Sequence, residues 1–469
     1  MVPLPLAMTM GPLTVLFLSV VFIVVAIAWW RLHAFFALIF AAMFVGLMTA
    51  WGQSGDGRFI KTVEAVMTEF GVAAGKIGFT IAIAAVIGVA LMESGAADKI
   101  IRRFIAVLGE KRASLALLVC GFVLSIPVFF DTVFFLLVPL ARALSLRTGK
   151  NYMLYVLAIC AGGVITHSTV PPTPGPLLVA ETLKIDLGVT IMGGILFGVV
   201  PALVGLAFAR WINARLPVPV RETSGSSLAS LAEVAARRED ELPGFWVSIA
   251  PVILPVVLIT LTSIVSTMRG SFSPAAVQTI EFFGNKNIAL LIGAFIALVV
   301  YARQKKLGLK QLGDGMGAPL EVAGVIILIT SAGGAYGAMI KNAGVGDSVR
   351  MLADGSAVNY VLLSWVLTAV VRVAQGSATV AMITASSIML SIAGTAGFGV
   401  HPLYIFLAIG YGATTLSWMN DSGFWVISRL GGLTEGETLR SWTVLLTIIS
   451  IVGLIQIMIA AAIWPNLWF

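Results

Sequence analysis

Four ionisable side chains stand deep inside long apolar runs of the sequence: Asp131, His167, Arg372 and Asp421. Placing such a group in hydrocarbon costs about 3 kcal/mol or more, so its default reading is functional, with a paired structural role as the rival. Arg372 can grip a carboxylate with two parallel bonds and stays charged in any protein environment. Its other reading is a permanent ion pair with Asp131 or Asp421. Gln375, Gly376, Ser377 and Thr379 follow it. Small polar residues there let the chain turn and expose N–H groups at the start of a half-helix, where an anion is favoured, or they simply pack a tight tip. Asp131 ends Ser125-Ile-Pro-Val-Phe-Phe-Asp131. A carboxylate in a low dielectric is a candidate proton carrier, because burial disfavours its charged form, or it caps the helix that follows. His167 opens His167-Ser-Thr-Val-Pro-Pro-Thr-Pro-Gly-Pro176. An imidazole can couple protons, bond hydroxyls, or serve as an ordinary core residue. The prolines forbid regular helix and free carbonyls to face a cavity. Asn420 and Asp421, with Ser417 and Ser422, offer partners for a polyol, a cation or proton site, or a helix cap.

The elements that hold these residues must span a bilayer. The chain has 469 residues, 59% apolar and only 11% charged, where a soluble domain carries about 25% charged residues. Its mean hydropathy is +1.02. Soluble enzymes, nucleic-acid binders and disordered chains are excluded. Continuous apolar runs, not alternating ones, argue against a barrel. The reading is an all-α polytopic membrane protein with about 12–14 hydrophobic segments. Uninterrupted spans are expected at 12–30, 33–50, 77–93, 152–168, 187–211, 244–267, 287–302, 319–340, 402–418 and 441–464. Segments 114–145 and 358–395 are too long for one span and are broken at mid-depth, so each is expected to be a hairpin of two half-helices. Further breaks fall at Val170–Pro176 and Trp418–Gly423. Non-helical backbone at membrane depth survives only inside protein or along a wet cavity, and so many breaks point to a transported polar solute. Glu93 and Glu321 read as interfacial, and Trp29, Trp30, Trp464 and Trp468 as membrane-interface belts. Cys120 and Cys160 read as free, buried small hydrophobes. With three His and two Cys, no metal or other cofactor is expected. With no Lys or Arg before Arg31, the first apolar run is expected to be a retained span, not a cleaved signal.

Internal similarity divides the chain. Gly88–Asp98 resembles Gly337–Asp347, and Gly163 and Gly412 keep the same spacing ahead of a broken segment. The halves are 1–212 and 244–469, joined by a polar linker at 213–243. With the N-terminus outside, most of the 29 Lys and Arg fall in inside loops. The first hairpin then opens inward and the second outward. Two inverted repeats with broken helices meeting at mid-membrane are the layout of many secondary transporters.

His167–Pro176 resembles the signature of the gluconate:proton symporter (GntP) family, within the broader ion-transporter superfamily. Ser125–Val133, Ala374–Ala381 and Ser417–Trp425 fit it too, and the resemblance covers nearly the whole chain. It implies an inner-membrane symporter for proton-driven uptake of gluconate or a related small hydroxylated carboxylate. Some relatives prefer D-serine or other small acids such as glycerate, and the shared motifs do not choose among them. Arg372, Gln375, Gly376, Ser377 and Thr379 would then meet the carboxylate, and Thr166, His167, Ser168 and Asn420 the hydroxyls. Asp131, His167 or Asp421 would carry the proton. Sodium coupling at Asp421, Asn420 and freed carbonyls is the rival reading. No HExxH or assignable catalytic pair points to an enzyme. The expected partners are the carboxylate, protons and the lipid bilayer, with a homodimer open and no nucleic acid.

Overall fold

A computed structural model describes residues 11–51, 57–221, 241–268, 272–345, 348, 359–393, 397–419 and 421–466. These are almost entirely helical. In order they form α1 (Pro12–Ala28), α2 (Ala34–Trp51), α3 (Arg58–Glu93), α4 (Ala96–Leu108), α5 (Ala113–Leu124), α6 (Phe130–Thr148), α7 (Tyr152–Thr169), α8 (Pro174–Leu183) and α9 (Leu187–Arg215). Then come α10 (Phe245–Thr267), α11 (Pro274–Phe283), α12 (Lys286–Lys305), α13 (Leu309–Gly315), α14 (Gly317–Asn342), α15 (Tyr360–Gln375), α16 (Ala378–Ala393), α17 (Pro402–Gly412), α18 (Ser422–Gly431), α19 (Glu435–Thr438) and α20 (Val444–Ile463). Among the described residues eight helices are long and apolar enough to cross a membrane, and five shorter apolar helices accompany them. Most of the linker at 213–243 lies outside the described residues.

The breaks have local causes. Residues 125–129 separate α5 from α6, and Gly376 at φ 88 turns the chain between α15 and α16, a conformation that costs glycine nothing. The expected span 77–93 is part of a longer helix. α3 runs 36 residues from Arg58, about 54 Å at 1.5 Å per residue, and overshoots a hydrocarbon core of about 30 Å. The expected span 402–418 stops early, at Gly412. There Thr414 and Ser450 hydroxyls take the Tyr411 carbonyl at 2.8 and 2.6 Å, which satisfies that acceptor at the helix end. Nor do all the prolines sit in the break. Pro174 and Pro176 lie in the first turn of α8, where a missing N–H leaves nothing unpaired. The carbonyls of His167 and Val170 lie 2.9 and 2.8 Å from Thr173 Oγ1, whose single O–H is shared between them, so the break supplies its own donor.

α7 and α17 sit at the centre. Every residue of α7 is buried except His167, which is half-buried, and α17 is buried from Leu403 to Gly412. Glycines bring their neighbours close. A Cβ on Gly162 would lie 2.1 Å from the Leu118 carbonyl of α5, and one on Gly194 of α9 the same 2.1 Å from the Thr169 carbonyl. Cys120 and Cys160 are free and buried, as their apolar setting implies.

The hairpins open towards opposite ends of the bundle. At one end Arg142 of α6 donates to the Arg221 carbonyl. Arg221 in turn forks onto Glu437 at 2.6 and 2.8 Å, and Tyr152 donates to the Gly431 carbonyl at 2.6 Å. At the other end of α20 the His401 N–H donates to the Pro465 carbonyl at 2.8 Å, and Phe398 meets Tyr360, the first residue of α15, edge to face. The base of the α5–α6 hairpin thus lies at the Glu437 end, and that of α15–α16 at the Pro465 end.

Candidate functional site

The broken segments converge on one cavity of about 430 Å³, within the size range of small-molecule sites. Its walls include Phe129, Phe130, Asp131 and Thr132 from the start of α6, His167 and Ser168 from the end of α7, and Pro174 from the start of α8. Arg372, Ser377, Ala378, Thr379 and Val380 come from the second hairpin, and Thr414, Asp421, Ser422 and Gly423 from the second break. Val322, Ile326 and Ile329 of α14 form an apolar side, and Trp442 and Leu446 close it. The N-termini of α6, α8, α16 and α18 therefore all face this space. Each directs the positive end of its backbone dipole there, with the Gly423 N–H of α18 and the Val380 N–H of α16 already capped by Asp421 and Ser377, and with prolines in the first turn of α8.

Arg372 and Asp421 form a buried ion pair, with side-chain exposures of 4% and 10%. Asp421 is the N-cap of α18 and accepts from the Gly423 N–H at 3.0 Å. It also accepts from the Ser417 hydroxyl. Ser417 in turn accepts from the Trp442 indole N–H at 2.7 Å. A π-helical turn, Leu439–Thr443, precedes α20 and carries Trp442. The indole stacks on Phe130, centroids 5.5 Å apart at 20°, which ties the first hairpin's tip to the second break. Asp131 is exposed to the cavity, and His167 meets Phe129 edge to face. Buried nitrogens without a hydrogen-bond partner among the described residues include His167 Nδ1 and Arg372 Nε and Nη1. With Asp131, Asp421 and Arg372 ionised and His167 neutral, the site carries one negative charge more than positive.

A sequence model of GntP family permeases matches residues 11–463. The chain belongs to the GntP permease family. An uncharacterized permease of Haemophilus influenzae is 33% identical over 466 residues, covering 97% of this chain and 93% of the relative. The gluconate permease of Pseudomonas aeruginosa is 31% identical, covering 94% and 95%. The Gnt-II system L-idonate transporter of Escherichia coli K12 is 29% identical, covering 95% and 98%. In fold the chain is similar to the Alcanivorax borkumensis YdaH transporter, described as having an unusual topology. The TM-score is 0.66 at 13% identity, covering 92% of this chain and 99% of that one. The protein is thus a multi-pass membrane transporter.

Of the residues the sequence marks in this GntP permease, Asp131, His167, Ser168, Arg372, Ser377, Thr379 and Asp421 line the one cavity. Thr166 is fully buried and does not line it; its hydroxyl turns back to the Gly162 and Gly163 carbonyls at 3.4 Å. Gly376 forms the turn behind Ser377 and lines no wall. Gln375 ends α15, and Asn420 lies outside the described residues. Thr132, Thr414, Trp442 and the α14 wall are additions from the structure.

Proposed function

We propose that this GntP permease is an inner-membrane symporter taking up gluconate or a related small hydroxylated carboxylate together with protons. One observation carries the reading: four half-helix N-termini and Arg372 surround a cavity that already holds two carboxylates. The N-termini and guanidinium favour an anion. A further negative charge beside Asp131 and Asp421 nevertheless needs a compensating cation, since like charges in a low dielectric cannot all stay ionised. A proton supplies that compensation. In this reading Arg372 and the first turn of α16 at Ser377 and Thr379 meet the carboxylate. His167, Ser168 and Asn420 meet hydroxyls, and the proton rides on Asp131, His167 or Asp421. Residues 1–212 and 244–469 act as inverted repeats across the linker 213–243, and the opposed hairpins alternate access to the midplane site. The relatives named for gluconate and L-idonate support a sugar acid as substrate.

The test is uptake of labelled D-gluconate into proteoliposomes under an inward proton gradient without sodium. The expected result is accumulation above equilibrium that collapses with the gradient. Accumulation that requires sodium and ignores the proton gradient would overturn proton coupling. Competition with glycerate and D-serine then ranks the substrate class.

A further inference from the structure

Within the cavity, Arg372 and Asp421 are unequally satisfied. Both oxygens of Asp421 are engaged, Oδ2 by Arg372 Nη2 and the Ser417 hydroxyl, and Oδ1 by the Gly423 N–H. The fork of Arg372 is only partly used, because Nε and Nη1 are buried without hydrogen-bond partners among the described residues. A planar guanidinium matches a carboxylate with two parallel bonds, and Asp421 takes one. The two groups also differ in how they are held. Asp421 caps α18 and is braced through Ser417 by Trp442. Arg372 hangs on a long side chain from the last turn of α15, just before the Gly376 turn. The aspartate is thus the braced member of the pair, and the arginine the one held through a single group of its fork.

We infer that the Arg372–Asp421 pair is the coupling latch: protonation of Asp421 releases Arg372 to a substrate carboxylate, so one proton enters with each carboxylate. The inference rests on the carboxylate reading of the cavity and assigns its proton to one residue. An ionised Asp421 and a substrate anion compete for a single guanidinium. Both half-loaded states are disfavoured: substrate with ionised Asp421 leaves a surplus buried anion, and protonated Asp421 with no substrate leaves a buried unpaired guanidinium. Counting Arg372, Asp421 and the substrate alone, only the pair without substrate and the fully loaded state balance charge; Asp131 adds the same charge to every state. The proton comes from water on the side of lower pH, binds a carboxylate oxygen of Asp421 and leaves to the other side with the substrate. A neutral Asp421 still accepts from the Gly423 N–H, so the α18 cap survives the cycle. The other titratable side chains lining the cavity are Asp131 on α6 and His167 on α7, both close enough to feel the charge of Asp421.

The experiment measures D-gluconate binding to purified full-length protein across pH, with calorimetry in buffers of different ionisation heat. In the wild type the dissociation constant should rise about tenfold per pH unit where binding takes up one proton, and the calorimetry should report that proton. Asp421→Asn should bind gluconate with a flat pH profile, exchange it across proteoliposomes, and lose gradient-driven accumulation. If that variant does not fold, Asp131→Asn and His167→Asn decide instead: at whatever affinity each retains, it should still take up one proton per gluconate bound. Loss of proton uptake in either of them, a wild-type slope in Asp421→Asn, or wild-type binding without proton uptake overturns the latch. Wild-type protein that is folded yet binds no gluconate or other sugar acid overturns the substrate reading beneath it.

Discussion

Ser417 stands between an indole and a carboxylate, accepting from Trp442 and donating to Asp421. Trp442 therefore acts on Asp421 at one remove, and its stacking on Phe130 is a separate contribution. The two roles can be divided by substitution. Trp442→Phe keeps a ring against Phe130 and deletes the donor, which should cost about 1 kcal/mol of stability and raise the KM for uptake. Trp442→Leu deletes both and should cost about 3 kcal/mol. Thermal unfolding in detergent and initial-rate uptake check the pair: equal losses in both variants would show that stacking on Phe130 contributes nothing, and an unchanged Trp442→Phe would show the same of the indole N–H. Legibility at this scale follows contrast. Asp131, His167, Arg372 and Asp421 stand out because a charge or imidazole is rare in an apolar run. Trp442, Thr132 and the Val322–Ile329 wall do not, since tryptophan, threonine and aliphatics are ordinary lining for any membrane helix. Thr166 shows a second limit: on α7 one residue is a rotation of about 100°, enough to separate it from the cavity that His167 and Ser168 face.

At the scale of elements, the hairpins are legible from length alone, because 114–145 and 358–395 exceed one crossing and carry polar breaks. The ends of α3 and α17 are not, because composition does not say how far a helix runs beyond the bilayer or which hydroxyl captures its last carbonyls. How closely helices approach is also invisible in the sequence, where one glycine resembles another. Gly162 packs α7 against the α5 backbone, whereas a Cβ on Gly75 of α3 would meet nothing within 4 Å. Gly162→Ala must push α5 away and should lower stability by about 1–3 kcal/mol. Gly75→Ala should leave it unchanged or raise it by up to about 1 kcal/mol, since alanine is the better helix former. Melting of the two variants side by side checks this, and a Gly162→Ala protein as stable as Gly75→Ala would contradict the close approach.

For the whole molecule, the claim that matters is the opposition of the two hairpins, because a midplane site served from both sides needs one gate facing each way. The hydrogen bonds at the two ends of α20 put Lys150, just beyond the first hairpin, and Asn466, beside the second, at opposite ends of the bundle. Both side chains are exposed, while the native Cys120 and Cys160 are buried and should react slowly. Single substitutions Lys150→Cys and Asn466→Cys should therefore be distinguished by a membrane-impermeant maleimide. On the charge distribution the Lys150 end is expected inside. Intact cells should then label Asn466→Cys and spare Lys150→Cys, and inverted vesicles should give the reverse. Labelling of both from the same side would mean that the hairpins share an entrance, and alternating access through opposed hairpins would fall with it. Labelling on opposite sides but in the reverse sense would keep the architecture and turn the protein over in the membrane, making the α5–α6 hairpin the outer gate.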